Sequence, residues 1–184
     1  MDNNFMTKLL LLCLVLSFSI YADAQGAKYK RKEWKHWIDA DHDCQNSRQE
    51  ILIARSESEV IMNKNGCTVQ NGLWLDYYYP QRFTRAQLVD IDHLIPLKHA
   101  YLTGGKDWTA LQRMTFANDP ENLVITSKKY NRSKGSKSID RWLPVNVEYA
   151  CKYVKDWMRL KQKYHLRVTA LEHQTVESLK SKCL

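Results

Sequence analysis

The chain has 184 residues and a formal net charge of +8 at pH 7, and this length suits one ordinary domain with a real core. The positive charge favours acidic polymers as partners, namely nucleic acid, anionic glycans or membrane surfaces, but it does not choose among them. Beyond an N-terminal apolar segment, no stretch is apolar enough to cross a bilayer.

The N-terminal segment has the features of a secretory signal peptide. Lys8 precedes an apolar run at 9–20, and the small-x-small triplet ADA follows at 22–24. The alternative is an anchor helix, but the run is shorter than the roughly 20 residues of a membrane span. We therefore predict a signal peptide at 1–24 and one domain at 25–184, which is secreted or periplasmic and free of the membrane after cleavage. Cleavage would leave 160 residues with a charge of +9.

Four of the five cysteines lie beyond the predicted signal peptide: Cys44, Cys67, Cys151 and Cys183. An even number in an exported chain predicts two disulfides, for which three connectivities exist. We favour Cys44–Cys67 and Cys151–Cys183, because each bond then closes a local loop. The chain has no C-x-x-C pair, which argues against a structural zinc site.

The first half of the mature chain mixes short helices with strands. Residues 25–33 are interpreted as a flexible basic lead, and EWKHWI at 33–38 and SRQEILIARS at 47–56 as short helices. Residues 66–79 carry β-branched and aromatic side chains between Gly and Pro, which predicts strands or extended segments.

The acidic turn between these two helices follows the spacing of a calcium-binding loop. Asp39, Asp41, Asp43 and Glu50 occupy relative positions 1, 3, 5 and 12 of an EF-hand-like pattern. Position 6, which is normally Gly, is Cys44 here. The turn is therefore a candidate Ca²⁺ site, and the alternative is an acidic turn that caps the next helix.

The second half alternates short strands with helices. A turn at 84–88 leads into a short apolar strand that ends before Pro96, and residues 106–118 predict a helix that Pro120 stops. LVIT at 123–126 predicts a strand, and Ser127 is a good N-cap for a helix after it. Two amphipathic helices follow, at 147–164 and from a capping-box pattern at 169–172.

The two strands and the helix after Ser127 bring three polar residues together. Asp92 and His93 end the first strand, and Asn131 lies on the helix. Carboxylate and amide oxygens suit Mg²⁺, and a neighbouring imidazole can act as a general base. A basic cluster that can hold phosphates surrounds Asn131: Lys128, Lys129, Arg132, Lys134 and Lys137. Taken singly, each has a plainer interpretation as a packed histidine, a turn residue or a solvated face.

DIDHLIP at 90–96 and NLVITSKKYNRSKGSKS at 122–138 resemble the HNH, or ββα-metal (His-Me finger), endonucleases. The similarity is strongest to the branch with an Asp-His-x-x-Pro motif, which is related to the C-terminal nuclease part of GmrSD-type restriction enzymes and to secreted bacterial HNH nucleases. The same pattern resembles the HNH domain of RNA-guided CRISPR nucleases. Segments such as DCQNSRQEILIARS and FANDPENL also look like the secreted members, so the resemblance covers most of the mature chain.

The resemblance implies an α+β fold, with a ββα-metal core embedded in a mainly helical, disulfide-stapled single domain. It implies that His93 is the general base, that Asp92 and Asn131 ligate a metal, and that Asn122 braces the loop between the strands. The last motif position is Asn131 rather than His, which favours Mg²⁺, or Mn²⁺, over zinc.

The sequence therefore predicts a secreted, metal-dependent, largely non-sequence-specific DNA endonuclease that is a monomer. Two alternatives stay open at this point. One is a ribonuclease with the same fold and chemistry. The other is a basic module that binds nucleic acid without cutting it, although a binder has no need of a base beside a metal.

Overall fold

The computed structural model describes residues 28–180 and 182–183, so the predicted signal peptide at 1–24 lies outside the described residues. Helices outweigh strands, and the two are mixed along the chain, which confirms the α+β class. The helices are α1 (Ser47–Ala54), α2 (Leu97–Leu102), α3 (Ala110–Asn118), α4 (Lys128–Lys134), α5 (Val147–Lys163) and α6 (Ala170–Lys180). The strands are β1 (Ile61–Met62), β2 (Val69–Asp76), β3 (Gln81–Arg85), β4 (Val89–His93) and β5 (Leu123–Ser127).

The strands form two antiparallel sheets. One has the order β1-β2-β3, and the other is the pair β4-β5, whose register runs from Val89 opposite Ser127 to His93 opposite Leu123. All five residues of β5 are buried, because the two-stranded sheet lies between two apolar cores. This explains why β5 is apolar on both faces rather than alternating.

The two cores lie on opposite sides of the β4-β5 pair. One joins α1 to the strands, with the buried residues Leu52, Trp74, Val89, Ile91 and Ile125. The other joins the pair to the helices in the second half of the chain, and its largest fully buried side chains are Trp34, Trp157, Tyr78, Tyr153 and Phe116. Because β5 contributes to both cores, the strand that leads into α4 is held from both sides.

Helix α4 follows β5 directly, and its ends follow from local sequence. The Ser127 hydroxyl accepts a hydrogen bond from the Tyr130 amide at 3.4 Å, which caps the N-terminus as the sequence predicted. Gly135 has φ of +55° and ends the helix, since a left-handed residue cannot continue it. Two antiparallel strands and a helix thus follow one another in space as β4, β5 and α4.

The N-terminal part of the described chain departs from its prediction. The helix expected at 33–38 is wrong: the chain forms one 3-10 turn at Arg31–Glu33, and Trp37 has φ of +61°. Within the described part of the lead predicted at 25–33, Tyr29 packs against Tyr101, and Trp34, directly after the lead, is 1% exposed. Burial of a large indole outweighs the local helical pattern here.

Both predicted disulfides are present. Cys44 is bonded to Cys67, which ties the acidic loop to the turn before β2, and Cys151 on α5 is bonded to Cys183 after α6. Two disulfides in a small domain fit an oxidising, extracellular environment. Within residues 28–180 and 182–183, no helix is long and apolar enough to span a membrane.

A buried polar network holds α6 against the rest of the domain. Glu172 is fully buried, and its carboxylate lies 2.8 Å from the Lys161 ammonium on α5. The same carboxylate accepts hydrogen bonds from Trp157 Nε1 at 2.8 Å and His99 Nε2 at 2.9 Å. Glu172 and Thr169 also complete the predicted capping box. Burial alone raises the pKa of Glu172, but hydrogen bonds from His99, Lys161 and the Thr169 amide outweigh it and lower the pKa to about 2.

Replacing Glu172 with Gln should therefore destabilise the protein in a pH-dependent way. At pH 7 the change leaves Lys161 buried without its counterion, which should lower the free energy of unfolding by about 3–5 kcal/mol. Because the folded-state pKa lies below the ordinary value, the carboxylate's contribution is complete above about pH 4.5 and is lost as the pH falls towards 2.

Urea unfolding of wild type and Glu172→Gln at pH 7 and pH 3 is the measurement. The difference in the free energy of unfolding between wild type and Glu172→Gln should be smaller at pH 3 than at pH 7. Glu177→Gln is the matched control, because Glu177 lies on the same helix but pairs with Lys180 at the surface. Equal stabilities of the two variants at pH 7 would contradict the role given to the buried network.

Candidate active site

One cavity of about 310 Å³ brings the three residues Asp92, His93 and Asn131 together. Asp92 and His93 reach it from the end of β4, and Asn131 reaches it from α4. Tyr29 and Arg31 line the same cavity from the N-terminal segment. The convergence follows from the β4-β5-α4 arrangement, because the helix returns over the end of the first strand.

Asp92 is a buried carboxylate with two strong partners on one oxygen. Its Oδ2 accepts a hydrogen bond from the Tyr78 hydroxyl at 2.6 Å and lies 2.7 Å from the Lys134 ammonium. Burial raises the pKa of Asp92, while the charge and hydrogen bond of Lys134 oppose the increase. Within the described part of the chain, Oδ1 receives no hydrogen bond from another side chain, so it can serve as a ligand atom.

His93 is buried, and its tautomer is determined by a backbone contact. Its Nε2 lies 2.8 Å from the Ala117 carbonyl, which can only accept, so Nε2 carries the proton and Nδ1 is the acceptor. Burial lowers the pKa of His93 to about 3. The Ala117 hydrogen bond opposes this decrease, and the charges of His36, Arg31 and Lys134 add to it. The imidazole is therefore neutral at pH 7.

Asn131 is oriented by a second aspartate on β4. Its Nδ2 donates to Asp90 Oδ2 at 2.9 Å. A carboxylate only accepts, so this contact assigns the amide nitrogen to Asp90 and leaves the amide oxygen available to a ligand. Asp90 and Asp92 alternate with Ile91, so both lie on the same face of β4.

Asn122 braces the loop that follows His93. Its side chain is fully buried, and its Oδ1 accepts from the Ile95 amide at 2.8 Å, while Nδ2 donates to the Phe116 carbonyl at 3.4 Å. Its own carbonyl accepts from the Leu94 amide at 2.7 Å. Asn122 thus holds the backbone of the loop and does not reach the lining of the cavity.

The basic cluster divides into a surface group and one buried residue. Lys128, Lys129, Arg132 and Lys137 are exposed on or just after α4. Lys134 is fully buried, and its ammonium also donates to the His93 carbonyl at 2.7 Å. The prediction that Lys134 contacts nucleic acid is therefore corrected: its charge is taken up by Asp92. Desolvation lowers the pKa of Lys134, and Asp92 opposes the decrease.

The acidic loop also gathers its carboxylates. One oxygen from each of Asp39, Asp41 and Asp43 lies within 4.8 Å of the others. Cys44, at the position where the pattern expects Gly, has φ of +71°, and its amide donates to Asp39 Oδ2 at 3.0 Å. Burial, together with the nearby charges of this trio, raises the pKa of Glu50. The loop therefore adopts a glycine-like turn without glycine.

Three functional neighbours were not predicted from the sequence: Tyr78, Asp90 and the segment from Tyr29 to Ile38. Asp90 could have been found, because it precedes Asp92 by two residues and must share its face of the strand. Tyr78 reaches Asp92, and the N-terminal segment reaches the cavity, only through tertiary packing. No local pattern marks either of them.

Comparison with known proteins connects this geometry to a family. The family model described as "GmrSD restriction endonucleases, C-terminal domain" matches residues 45–175. The chain belongs to this family. The GmrSD C-terminal match contains all the cavity residues on β4 and α4, and it begins after the segment that carries Tyr29 and Arg31. Membership of a restriction endonuclease family supports nuclease activity on nucleic acid.

A relative covers the chain more widely than the GmrSD C-terminal match does. A protein of Arthroderma benhamiae named "Uncharacterized secreted protein" is 33% identical over 157 residues, which is 84% of this chain and 76% of the relative. No solved structure matches the chain significantly.

Within this GmrSD C-terminal domain, Asn122→Ala should weaken both the fold and the site. The change leaves the buried Ile95 amide without its acceptor, which should lower the free energy of unfolding by about 1–3 kcal/mol. It also releases the loop next to His93, so nucleic-acid cleavage should slow at temperatures where the variant is still folded.

Urea unfolding and cleavage assays on the same preparations check this. The matched control is Asn71→Ala, because the Asn71 side chain donates to the Thr84 carbonyl at a solvent-exposed position, where water can replace it. An Asn122→Ala variant as stable and active as Asn71→Ala would show that the brace is unimportant.

Proposed function

We propose that this protein is an exported, metal-dependent endonuclease that hydrolyses phosphodiester bonds in DNA with little sequence preference. The observation that carries the proposal is the shared cavity of His93, Asp92 and Asn131, in which a neutral imidazole lies beside two oxygen ligands. The order β4, β5 and α4 is compatible with the ββα-metal core that we propose, and family membership supports nuclease chemistry.

His93 acts as the general base in this proposal. Its Nε2 proton is engaged by Ala117, so Nδ1 can take a proton from a water molecule. The water oxygen forms a bond to phosphorus as the bond from phosphorus to the leaving oxygen breaks, and the leaving oxygen takes up a proton from solvent. By analogy with HNH enzymes, the products carry 5′-phosphate and 3′-hydroxyl ends.

The residues in the cavity fit a hard divalent cation. Both side-chain partners of Asp92 contact its Oδ2, so Oδ1 is left for a cation. Asp90 accepts from the amide nitrogen of Asn131, so the amide oxygen of Asn131 is left for the same cation. These oxygen donors suit Mg²⁺, with Mn²⁺ as a substitute, better than they suit zinc. Held by Asp92 and Asn131, such an ion would supply stabilisation of negative charge on the phosphate and the leaving oxygen.

The surface beside the cavity fits a nucleic-acid backbone. Four exposed basic side chains of the cluster lie on or just after α4, next to Asn131. Contacts to phosphates carry no base information, which accounts for the proposed lack of sequence preference. The relative's printed name and the two disulfides support export through the signal peptide predicted at 1–24, and we propose that the exported protein acts as a monomer.

The direct test is cleavage by the purified mature chain. Wild type should cut plasmid and linear DNA internally with Mg²⁺ present and stop when EDTA is added. His93→Ala should cut about 10²–10⁴-fold more slowly because the proton acceptor is lost. His173→Ala is the control, because His173 is an exposed histidine on α6.

Three outcomes separate the alternatives. Cutting of RNA but not DNA would indicate that the protein is a ribonuclease that uses the same mechanism. Salt-dependent binding without any cutting would indicate a basic binding module and refute the endonuclease. Full activity in EDTA would refute the metal requirement.

The acidic loop is a second proposed cation site, for Ca²⁺, formed by Asp39, Asp41, Asp43 and Glu50. With Ca²⁺ at 100 times its dissociation constant, binding should stabilise the fold by about 2.7 kcal/mol. Thermal unfolding of metal-stripped protein with and without Ca²⁺, in saturating Mg²⁺, measures the gain.

Asp41→Asn should reduce that gain, whereas Asp107→Asn should retain it, since Asp107 is an exposed aspartate outside the loop. An identical gain in the two variants, or none in wild type, would remove the calcium assignment and leave an acidic turn.

A further inference from the structure

The segment from Tyr29 to Ile38, which we name the N-terminal strap, is fixed on the domain although it precedes the family match at 45–175. Trp34 anchors it, with its ring 5.6 Å from Trp108 and 5.9 Å from Phe116. Asn118 secures the other end, since its Oδ1 accepts from the Ile38 amide at 3.2 Å and its Nδ2 donates to the Lys35 carbonyl at 2.9 Å.

The strap covers one side of His93. The Trp37 ring stacks on the His93 ring at 5.9 Å with an interplanar angle of 26°, and the His36 ring meets it edge-on at 5.8 Å. The unusual φ of +61° at Trp37 turns the chain here. His93, the proposed general base, is therefore covered on this side by residues that the family match does not include.

The strap also brings an arginine to the cavity. His36 Nδ1 lies 2.8 Å from the Trp34 carbonyl, so it carries the proton and leaves Nε2 as the acceptor. Arg31 Nη2 lies 3.5 Å from this Nε2. Within the described chain, no carboxylate lies within ion-pair distance of Arg31, so its charge is available to an anion at the cavity.

The lining of the cavity therefore contains two chemically different kinds of group. Asp92 and Asn131 present oxygens, which attract a cation, and Arg31 and Lys98 present positive charge, which attracts an anion. A phosphodiester has two non-bridging oxygens, so it can interact with both kinds of group at once. A guanidinium suits this role because its fork of N–H groups matches phosphate oxygens.

We propose that Arg31 is a substrate-binding residue that contacts a non-bridging oxygen of the phosphodiester in the cavity, which makes the N-terminal strap part of the active site. The proposal rests on the proposed function and adds to it a positively charged group for the phosphate, separate from the proposed metal ligands. Because negative charge grows on these oxygens as water attacks, Arg31 contributes to the rate as well as to binding.

The test compares Arg31→Gln with Lys32→Gln in the full mature chain. Both variants lose one positive charge from adjacent positions of the strap, but only Arg31 lines the cavity. Arg31→Gln should lower kcat/KM for duplex DNA about 10²–10³-fold, the usual effect of removing one donor to a developing oxyanion. The kcat/KM of Lys32→Gln should stay within about 3-fold of wild type, because a surface charge that does not contact the substrate acts only at long range. Arg31→Lys should fall between them.

A binding measurement on the His93→Ala background distinguishes failure of this inference from failure of the proposed function. The salt dependence of DNA affinity should weaken by about one unit of slope in Arg31→Gln, the change expected for one phosphate contact, and remain unchanged in Lys32→Gln. If wild type cuts DNA but both glutamine variants lose the same activity, Arg31 contributes bulk charge only and the inference is overturned. If wild type cuts nothing, the endonuclease fails, and the slopes alone decide whether Arg31 contacts a phosphate.

Discussion

The site depends on one buried carboxylate, that of Asp92. Removing a carboxylate from water costs several kcal/mol unless partners compensate. Here Tyr78 donates from the turn after β2, and Lys134 provides a buried ammonium from α4. These two contacts tie the end of β4 to the other sheet and to the helix. Three apolar side chains of similar volume in place of Asp92, Tyr78 and Lys134 would fill this space without the desolvation cost. The presence of buried charges here therefore favours a role in ligand binding over a role in stability alone.

Two asparagines near the ends of β5 have different structural roles. Asn122 lies before β5 and fastens the loop after His93 through backbone contacts, whereas Asn131 lies on α4 and lines the cavity. An amide suits both positions because it donates and accepts at once. Asn122 accepts from the Ile95 amide on the loop and donates to the Phe116 carbonyl on α3. Asn131 gives its nitrogen to Asp90 and keeps its oxygen for the cavity.

The local parts of the site could be predicted from sequence, and the long-range parts could not. Strand β5, the Ser127 cap and helix α4 follow from apolar runs and capping residues that act over a few positions. Burial of Lys134 was missed because its lysine neighbours suggested a solvated face. Its spacing of three residues from Asn131 places it on the same side of α4, which was the available signal. The N-terminal strap was unpredictable because tertiary packing of Trp34 overrides a locally helical pattern.

In the proposed mechanism, His93 and Asn131 have different chemical roles in one cavity. Cleavage rate measured against Mg²⁺ concentration, for His93→Ala and Asn131→Ala, tests it most directly. His93→Ala should be slow at every Mg²⁺ concentration and should regain activity with added imidazole, because it lacks only a base. Asn131→Ala should require more Mg²⁺, recover part of its rate at high concentration and ignore imidazole. Near-normal turnover of His93→Ala, or the same Mg²⁺ dependence in both variants, would contradict the assignment.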